Sequence, residues 1–265
     1  MFEIDAPLVG RRQVGRDMWV LAFDSAPIAA AALPGQFVNI GLSPGPLLRR
    51  PFSVYGASER VEILLKPVGT GTEQLLSLQL GDRVSLLGPL GNGFAIEPGR
   101  RVLLVSGGLG AASMPLAAAK AKELGCRVTW AHGARTGADL CTEWQGDELI
   151  QATDDGSVGF RGSVLDALTT GAGDSPQVLA CGPNPMLRAL AARHPQAQVA
   201  LETYMGCGTG VCLGCAVPLA AGGYDRACKE GPVYRAADID WEALPGHLHY
   251  SITSESSSPR AAAGG

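Results

Sequence analysis

Apolar residues in the N-terminal 98 positions come in short bursts separated by turn residues. The bursts are Met18–Phe23, Gln36–Gly41, Phe52–Tyr55, Val61–Leu65 and Arg83–Leu87, and Pro34-Gly35, Pro44-Gly45-Pro46 and Gly81-Asp82 punctuate them. Runs of this length and residue type read as strands, with one helix near Thr72–Leu80. Short strands at this spacing predict a small closed or partly closed barrel over 1–98. The rhythm then changes. Apolar runs at Arg101–Ser106, Arg127–His132, Glu148–Ala152, Pro176–Cys181 and Gln198–Leu201 alternate with helical spacing over Ala111–Leu124, Ser163–Leu168 and Asn184–His194. Strand and helix in alternation predict a doubly wound parallel sheet over 99–201, giving a fold class of β barrel plus α/β. A third unit, 202–245, is too short for a self-sufficient core, so bound metal would have to stabilise it. The stretch 246–265 is rich in Ser, Ala and Gly and is expected to be a disordered tail. There is no internal repeat.

Composition narrows the class without deciding it. Hydrophobic residues make up 46% and charged residues 17%, as in an ordinary folded protein. The net charge of −4, with no basic stripe, argues against nucleic acid as a partner. No apolar run reaches the ~18 residues of a membrane span. The first residues, Met1-Phe2-Glu3-Ile4-Asp5, lack the basic and apolar regions of a secretory signal. The chain has 7 cysteines, and four of them fall within 22 positions. That distribution argues against a secreted disulfide framework and for a reducing, cytoplasmic setting.

Those four cysteines carry the most specific chemistry. Cys207, Cys212, Cys215 and Cys228 have the spacing C-x4-C-x2-C-x12-C. The first three match the plant-type [2Fe–2S] pattern, which needs a fourth, more distant cysteine. Four thiolates can hold two irons in tetrahedral sulfur. Gly206, Gly208, Gly210 and Gly214 let the backbone approach bridging sulfides with no Cβ in the way. A structural zinc site and buried thiols are the competing readings. Zinc ribbons usually use paired C-x2-C units, and one such unit is present here. Cys126 and Cys141 read as spectator thiols, and Trp241 as a packing anchor for the cysteine unit.

Three weaker constellations accompany the cysteines. Arg50-Pro51-Phe52-Ser53 places an Arg before a strand and a Ser after a Pro, a pair able to hold phosphate from two sides. An exposed arginine pair would look the same. Its companion, Leu64-Leu65-Lys66 followed by Gly71-Thr72 at a helix start, could be an anion site or a plain turn and cap. Next, Ser106-Gly107-Gly108-Leu109-Gly110 lies between a strand and a helix, where glycines cradle a dinucleotide pyrophosphate or serve packing alone. Finally, Cys181-Gly182-Pro183 follows a buried strand at the carboxyl edge of the sheet, where ligands of such sheets bind. A buried thiol with a Gly-Pro helix start explains it equally well. No acid/base pair for substrate chemistry is visible, so no catalytic residue is assigned. His132, His194, His247 and His249 are scattered and read as surface or structural residues.

A [2Fe–2S] cluster passes single electrons and a nicotinamide moves two, so a protein holding both needs a converter, and a flavin is one. The barrel is the place left for it. Here the chain resembles the ferredoxin–NADP⁺ reductase superfamily through its barrel, nucleotide domain and Arg50–Ser53 corner. The segments Met205–Cys215, Tyr224–Tyr234 and Ile239–Trp241, with Gly88–Phe94, are similar to the electron-transfer subunits of class 1B dihydroorotate dehydrogenases. The resemblance implies an FAD-binding Greek-key barrel, with FAD on Arg50, Pro51, Phe52, Ser53, Leu64, Leu65, Lys66, Gly71 and Thr72. It implies the cluster on Cys207, Cys212, Cys215 and Cys228, and NAD near Gly107, Gly108, Gly110, Cys181, Gly182 and Pro183. The implied partner is a dihydroorotate dehydrogenase catalytic subunit carrying FMN, in a heterotetramer. Electrons from the oxidation of dihydroorotate to orotate, a step of pyrimidine biosynthesis, would pass through the cluster and FAD to NAD⁺. Ser106, where that family usually has Gly, and Ala112-Ser113, where it has Ala-Pro, depart from the pattern. With Arg135 they leave NAD versus NADP open. An NAD(P)H-dependent reductase serving another oxidoreductase or an oxygenase is the alternative, and a zinc-stabilised binding module is a third.

Overall fold

The computed structural model describes residues 1–168 and 175–244; the expected tail at 246–265 lies outside them, as do His247 and His249. Six strands close into an antiparallel barrel: β1 (Phe2–Gly15), β2 (Met18–Phe23), β3 (Phe37–Gly41), β4 (Arg50–Ala57), β5 (Val61–Leu65) and β6 (Arg83–Leu90). Their order around the wall is β1-β2-β5-β4-β3-β6, and β6 pairs back onto β1. Two short helices, α1 (Ala26–Ala31) and α2 (Thr70–Ser77), lie between strands. Val20, Leu21, Phe23, Val38, Ile40, Val54, Ile63, Leu65 and Leu86 are buried, as the alternation along these strands requires.

The second sheet is built from β7 (Arg101–Gly107), β8 (Arg127–Ala134), β9 (Glu148–Thr153), β10 (Phe160–Arg161), β11 (Gln177–Cys181) and β12 (Gln198–Ala200), all parallel. Helices α3 (Met114–Glu123), α4 (Val164–Ala167) and α5 (Asn184–Arg193) cover it. The helix expected from Ala111 begins instead as a 3-10 turn over Gly108–Ser113 and becomes α-helical at Met114. Gly110 explains the tight start. A Cβ there would stand 2.1 Å from the Cys181 carbonyl oxygen, so the turn is pressed against the neighbouring loop.

The last unit has a two-stranded ribbon, β13 (Ala216–Pro218) with β14 (Tyr224–Arg226), and one strand, β15 (Val233–Arg235). β15 adds to the parallel sheet, antiparallel to β12, giving the order β10-β9-β8-β7-β11-β12-β15. The unit has no core of its own. Cys215, Val217, Ala227, Cys228, Tyr234 and Ile239 pack in one cluster with Val199, Leu187 and the barrel residues Phe37 and Leu90. Trp241 closes this end, its Nε1 donating to the Ala236 carbonyl at 2.8 Å. No helix among the described residues is long and apolar enough to cross a membrane.

Candidate functional site

A cleft of about 1600 Å³ separates the barrel from the carboxyl edge of the parallel sheet. On the barrel side it is lined by Arg50, Pro51, Phe52 and Ser53 of β4, by Leu64, Leu65 and Lys66 at the end of β5, and by Gly71 and Thr72 of α2. Arg49, just before β4, and Arg50, its first residue, both line the cleft but make different contacts. Arg49 turns onto the barrel, where it donates to Ser85 Oγ at 2.9 Å and pairs with Glu3. Arg50 faces the cleft and donates to the Leu48 carbonyl. A Cβ on Gly71 would fall 2.9 Å from Arg50 Nε, so the guanidinium and the first turn of α2 share one narrow space. Thr72 Oγ1 accepts from the N–H groups of Val68 (2.8 Å) and Gly69 (3.2 Å). The Thr72 hydroxyl therefore shapes the turn, and the remaining N–H groups at the helix start are left to meet an anion. A guanidinium beside a helix N-terminus suits a pyrophosphate, and the residues present fit FAD.

On the opposite wall, Gly107, Gly108 and Pro183 line the cleft. Gly108 takes φ +53 with open space where a Cβ would be. Gly110, Cys181 and Gly182 stand behind this wall, where Gly110 packs on the Cys181 carbonyl. Cys181 is buried, and burial pushes its thiol up to about 12. Burial likewise raises the carboxyl of Glu202, which lines the cleft between the two domains.

The four cysteines sit in two places. Cys215 and Cys228 are buried, with their sulfurs 3.2 Å apart. Cys207 and Cys212 sit further out, in a loop whose N–H groups turn toward sulfur. Cys212 N–H and Thr209 N–H each donate to Cys207 Sγ at 3.4 Å, and Cys207 N–H donates to Cys212 Sγ at 3.5 Å. Desolvation opposes ionisation of Cys207, but the N–H groups of Cys212 and Thr209 outweigh it and hold the thiol down to about 5. A Cβ on Gly206 would come within 3.2 Å of Cys212 Sγ. Two buried sulfurs in contact, and an outer loop whose amide N–H groups point at the other two, fit an iron–sulfur cluster.

Several residues of the site escaped the sequence. Asp139, on a loop of the nucleotide domain, reaches across the cleft to Lys66 (3.3 Å) and Arg16 (2.8 Å). Burial opposes it, but hydrogen bonds from Thr136, Arg16 and Lys66 hold its carboxyl below the usual range. Nothing in the local sequence marks Asp139. Asn39 is different: it interrupts the apolar run Phe37-Val38-Asn39-Ile40, and its side chain reaches the Cys207 carbonyl at 3.2 Å. A polar residue inside an otherwise apolar strand was the available signal. His132 is structural. Its Nε2 accepts from Cys141 N–H at 3.1 Å, which leaves the proton on Nδ1, 2.9 Å from Ser106 Oγ.

Known proteins resemble this chain in sequence and in fold. Residues 202–240 match the family described as the iron–sulfur cluster binding domain of dihydroorotate dehydrogenase B. The chain is 36% identical over 257 residues to the electron transfer subunit of dihydroorotate dehydrogenase B (NAD(+)) from Desulforamulus reducens, covering 90% of this chain and 98% of that one. It is 37% identical over 247 residues to the Bacillus caldolyticus subunit of the same name, covering 88% and 96%. Among solved structures, it is similar to a chain from work on flavin-based electron bifurcation by the NADH-dependent reduced ferredoxin-NADP oxidoreductase, with TM-score 0.79 and 31% identity over 90% of this chain and 91% of that chain. The ferredoxin reductase of carbazole 1,9a-dioxygenase matches with TM-score 0.63 and 25% identity, over 72% and 64%.

Proposed function

The chain belongs to the electron transfer subunits of NAD-dependent dihydroorotate dehydrogenase B, and on that premise we propose how its own residues carry the electrons. Cys207, Cys212, Cys215 and Cys228 hold a [2Fe–2S] cluster, Cys207 with Cys212 on one iron and Cys215 with Cys228 on the other. The 3.2 Å approach of the Cys215 and Cys228 sulfurs, beside an outer loop in which the Cys212 N–H points at Cys207 Sγ, is the observation that carries this reading, since a binuclear cluster takes two protein thiolates at each iron. Arg50 and the N–H groups of Gly71 and Thr72 hold the pyrophosphate of FAD, and Phe52, Ser53, Leu64 and Leu65 line the space beside it. Lys66 adds positive charge, kept in place by Asp139. Gly107, Gly108 and Pro183 form the wall against which NAD lies, with Gly110, Cys181 and Gly182 supporting it from behind. A bound flavin supplies the exchange between single electrons and the pair that a nicotinamide takes.

The chain works with a partner: a catalytic subunit oxidises dihydroorotate to orotate on FMN, and the two subunits form a heterotetramer. Cys212 is exposed, so the outer pair stands at the surface that such a partner must approach. The cysteines are all free thiols, four of them given to the cluster, and this supports a reducing, cytoplasmic setting.

The test is anaerobic purification of the tagged chain from its native cells, followed by an assay for dihydroorotate-dependent NAD⁺ reduction. A copurifying flavoprotein subunit and a yield of orotate with NADH are expected. Cys212→Ser should lose iron and electron transfer together while keeping flavin. Full transfer in Cys212→Ser, or a different oxidoreductase as the copurifying partner, would overturn the reading.

A further inference from the structure

The cysteine segment is fastened to the barrel at two points, and an asparagine makes each fastening. Asn39 lies in the middle of β3 and is fully buried. Its Nδ2 donates to the Cys207 carbonyl at 3.2 Å, while its Oδ1 has no partner among the described residues. The barrel wall makes no use of this amide, and burying it half-paired is unfavourable. The loop is moulded to it. A Cβ on Gly208 would lie 1.9 Å from Asn39 Nδ2, and Gly208 takes φ +72.

Asn92 stands just beyond β6, the strand that pairs with β3. Its N–H donates to the Gly231 carbonyl at 2.6 Å. Its Nδ2 donates to the carbonyls of Glu230 (2.7 Å) and Lys229 (3.2 Å). Those three acceptors directly follow Cys228. Two adjacent barrel strands therefore grip the segment beside its first cysteine and beside its last. β3 also pairs with β4 on its other side, Asn39 opposite Pro51, within the Arg50–Ser53 corner.

We propose that Asn39 and Asn92 are positioning residues that fix the cysteine segment against the flavin corner and thereby set the rate of the electron step between cluster and flavin. The proposal rests on the cofactor reading above. The step transfers one electron and makes or breaks no bond. Two such transfers carry the pair released when dihydroorotate becomes orotate with loss of two protons. The pair reaches NAD⁺ with one proton as hydride, and the second proton goes to solvent. Electron transfer depends steeply on separation, so a segment free to drift spends less of its time in range.

The experiment uses the complete, anaerobically purified complex carrying Asn39→Ala or Asn92→Ala. Rapid mixing with NADH separates flavin bleaching from the later reduction of the cluster. Flavin bleaching should stay within about twofold of wild type, since neither residue lines the nucleotide wall. Cluster reduction should slow about tenfold, the ratio that ~1.4 kcal/mol of lost positional preference produces. Backbone hydrogen exchange provides a readout apart from turnover. It should accelerate at Cys207–Gly208 in Asn39→Ala and at Lys229–Gly231 in Asn92→Ala, and stay unchanged in α3. Asn92 is exposed, so its variant tests the proposal even if Asn39→Ala does not fold. Unchanged exchange, or equal slowing of both kinetic phases, would overturn it. A wild-type complex with no cluster signal would instead refute the cofactor reading, and exchange at the two fastenings would still decide whether the asparagines hold the segment.

Discussion

Arg12 ties the two large domains together, and replacing it by Met should loosen them measurably. The residue lies on β1 and makes two bidentate contacts. Its Nη1 and Nη2 donate to Glu62 of β5 at 2.8 and 2.9 Å, and its Nε and Nη2 donate to Glu143 at 2.7 and 2.9 Å. Glu143 belongs to the nucleotide domain and also accepts from the Tyr55 hydroxyl of the barrel at 2.9 Å. Exposed ion pairs are worth ~0.2–1 kcal/mol, and hydrogen bonds to charged groups ~1.5–3 kcal/mol. The Arg12 and Glu143 side chains are each 39% exposed and Glu62 is 20% exposed, so solvent screens the set substantially. A loss of about 2 kcal/mol for Arg12→Met follows, or a fall in Tm of about 4–8 °C at this chain length. The effect must depend on pH. The Arg12 hydrogen bond, with help from Tyr55, holds the Glu143 carboxyl below its usual range against desolvation. A carboxylate with a depressed folded pKa contributes fully above its unfolded value of ~4.3 and loses that contribution as pH falls through the folded value. Wild type and Arg12→Met should therefore differ most at neutral pH and converge in acid. Thermal unfolding followed by circular dichroism at pH 7 and at about pH 3 measures both. A double-mutant cycle with Glu143→Gln isolates the pair. A loss under ~0.5 kcal/mol at pH 7, within the scatter of ordinary surface substitutions, or zero coupling in the cycle, would refute the reasoning.

Two other buried polar groups make separate predictions. Burial depresses the His132 imidazole to about 4, with Ser106 opposing, so the unfolded chain binds a proton there first as pH drops. Stability should be intact above the unfolded value of ~6.5 and fall between there and pH 4, by about 3 kcal/mol at the low end. His132→Gln keeps hydrogen bonding without titrating, and urea unfolding across that window should show a flatter slope than wild type. Tyr234 is buried, and its hydroxyl has no hydrogen-bond partner among the described residues. Tyr234→Phe removes an unpaired buried hydroxyl and should leave stability unchanged or raise it by about 1 kcal/mol; a clear drop in urea midpoint would mean that the hydroxyl is in use.

Legibility along the chain followed the range over which each interaction acts. β2 and β5 were found to the residue because one buried face imposes a period of two on neighbouring positions. β1 was not expected at all. Its sequence holds Pro7, Gly10 and the pair Arg11-Arg12, and what makes it a strand is pairing to β2 on one side and β6 on the other. The three-residue β15 is likewise defined by its register against β12, with Tyr234 opposite Val199. Ser106 and His132 are 26 positions apart and meet because β7 and β8 are adjacent and in register.

The candidate chemistry of this protein is written in short stretches of sequence. Thiolate spacing, turn glycines and strand rhythm are local constraints, and four cysteines at C-x4-C-x2-C-x12-C favour a cluster over a zinc ribbon before any fold is known. The tertiary structure decided the wiring. The contact between the Cys215 and Cys228 sulfurs, the partners that Arg49 finds on Glu3 and Ser85, and the barrel strands that grip the cysteine segment all depend on residues apart in the chain. The Asn39–Cys207 hydrogen bond spans 168 positions and the Asn92–Glu230 bond 138. Such contacts exist only once the barrel has closed and the parallel sheet has set its strand order, so no window of the sequence contains them.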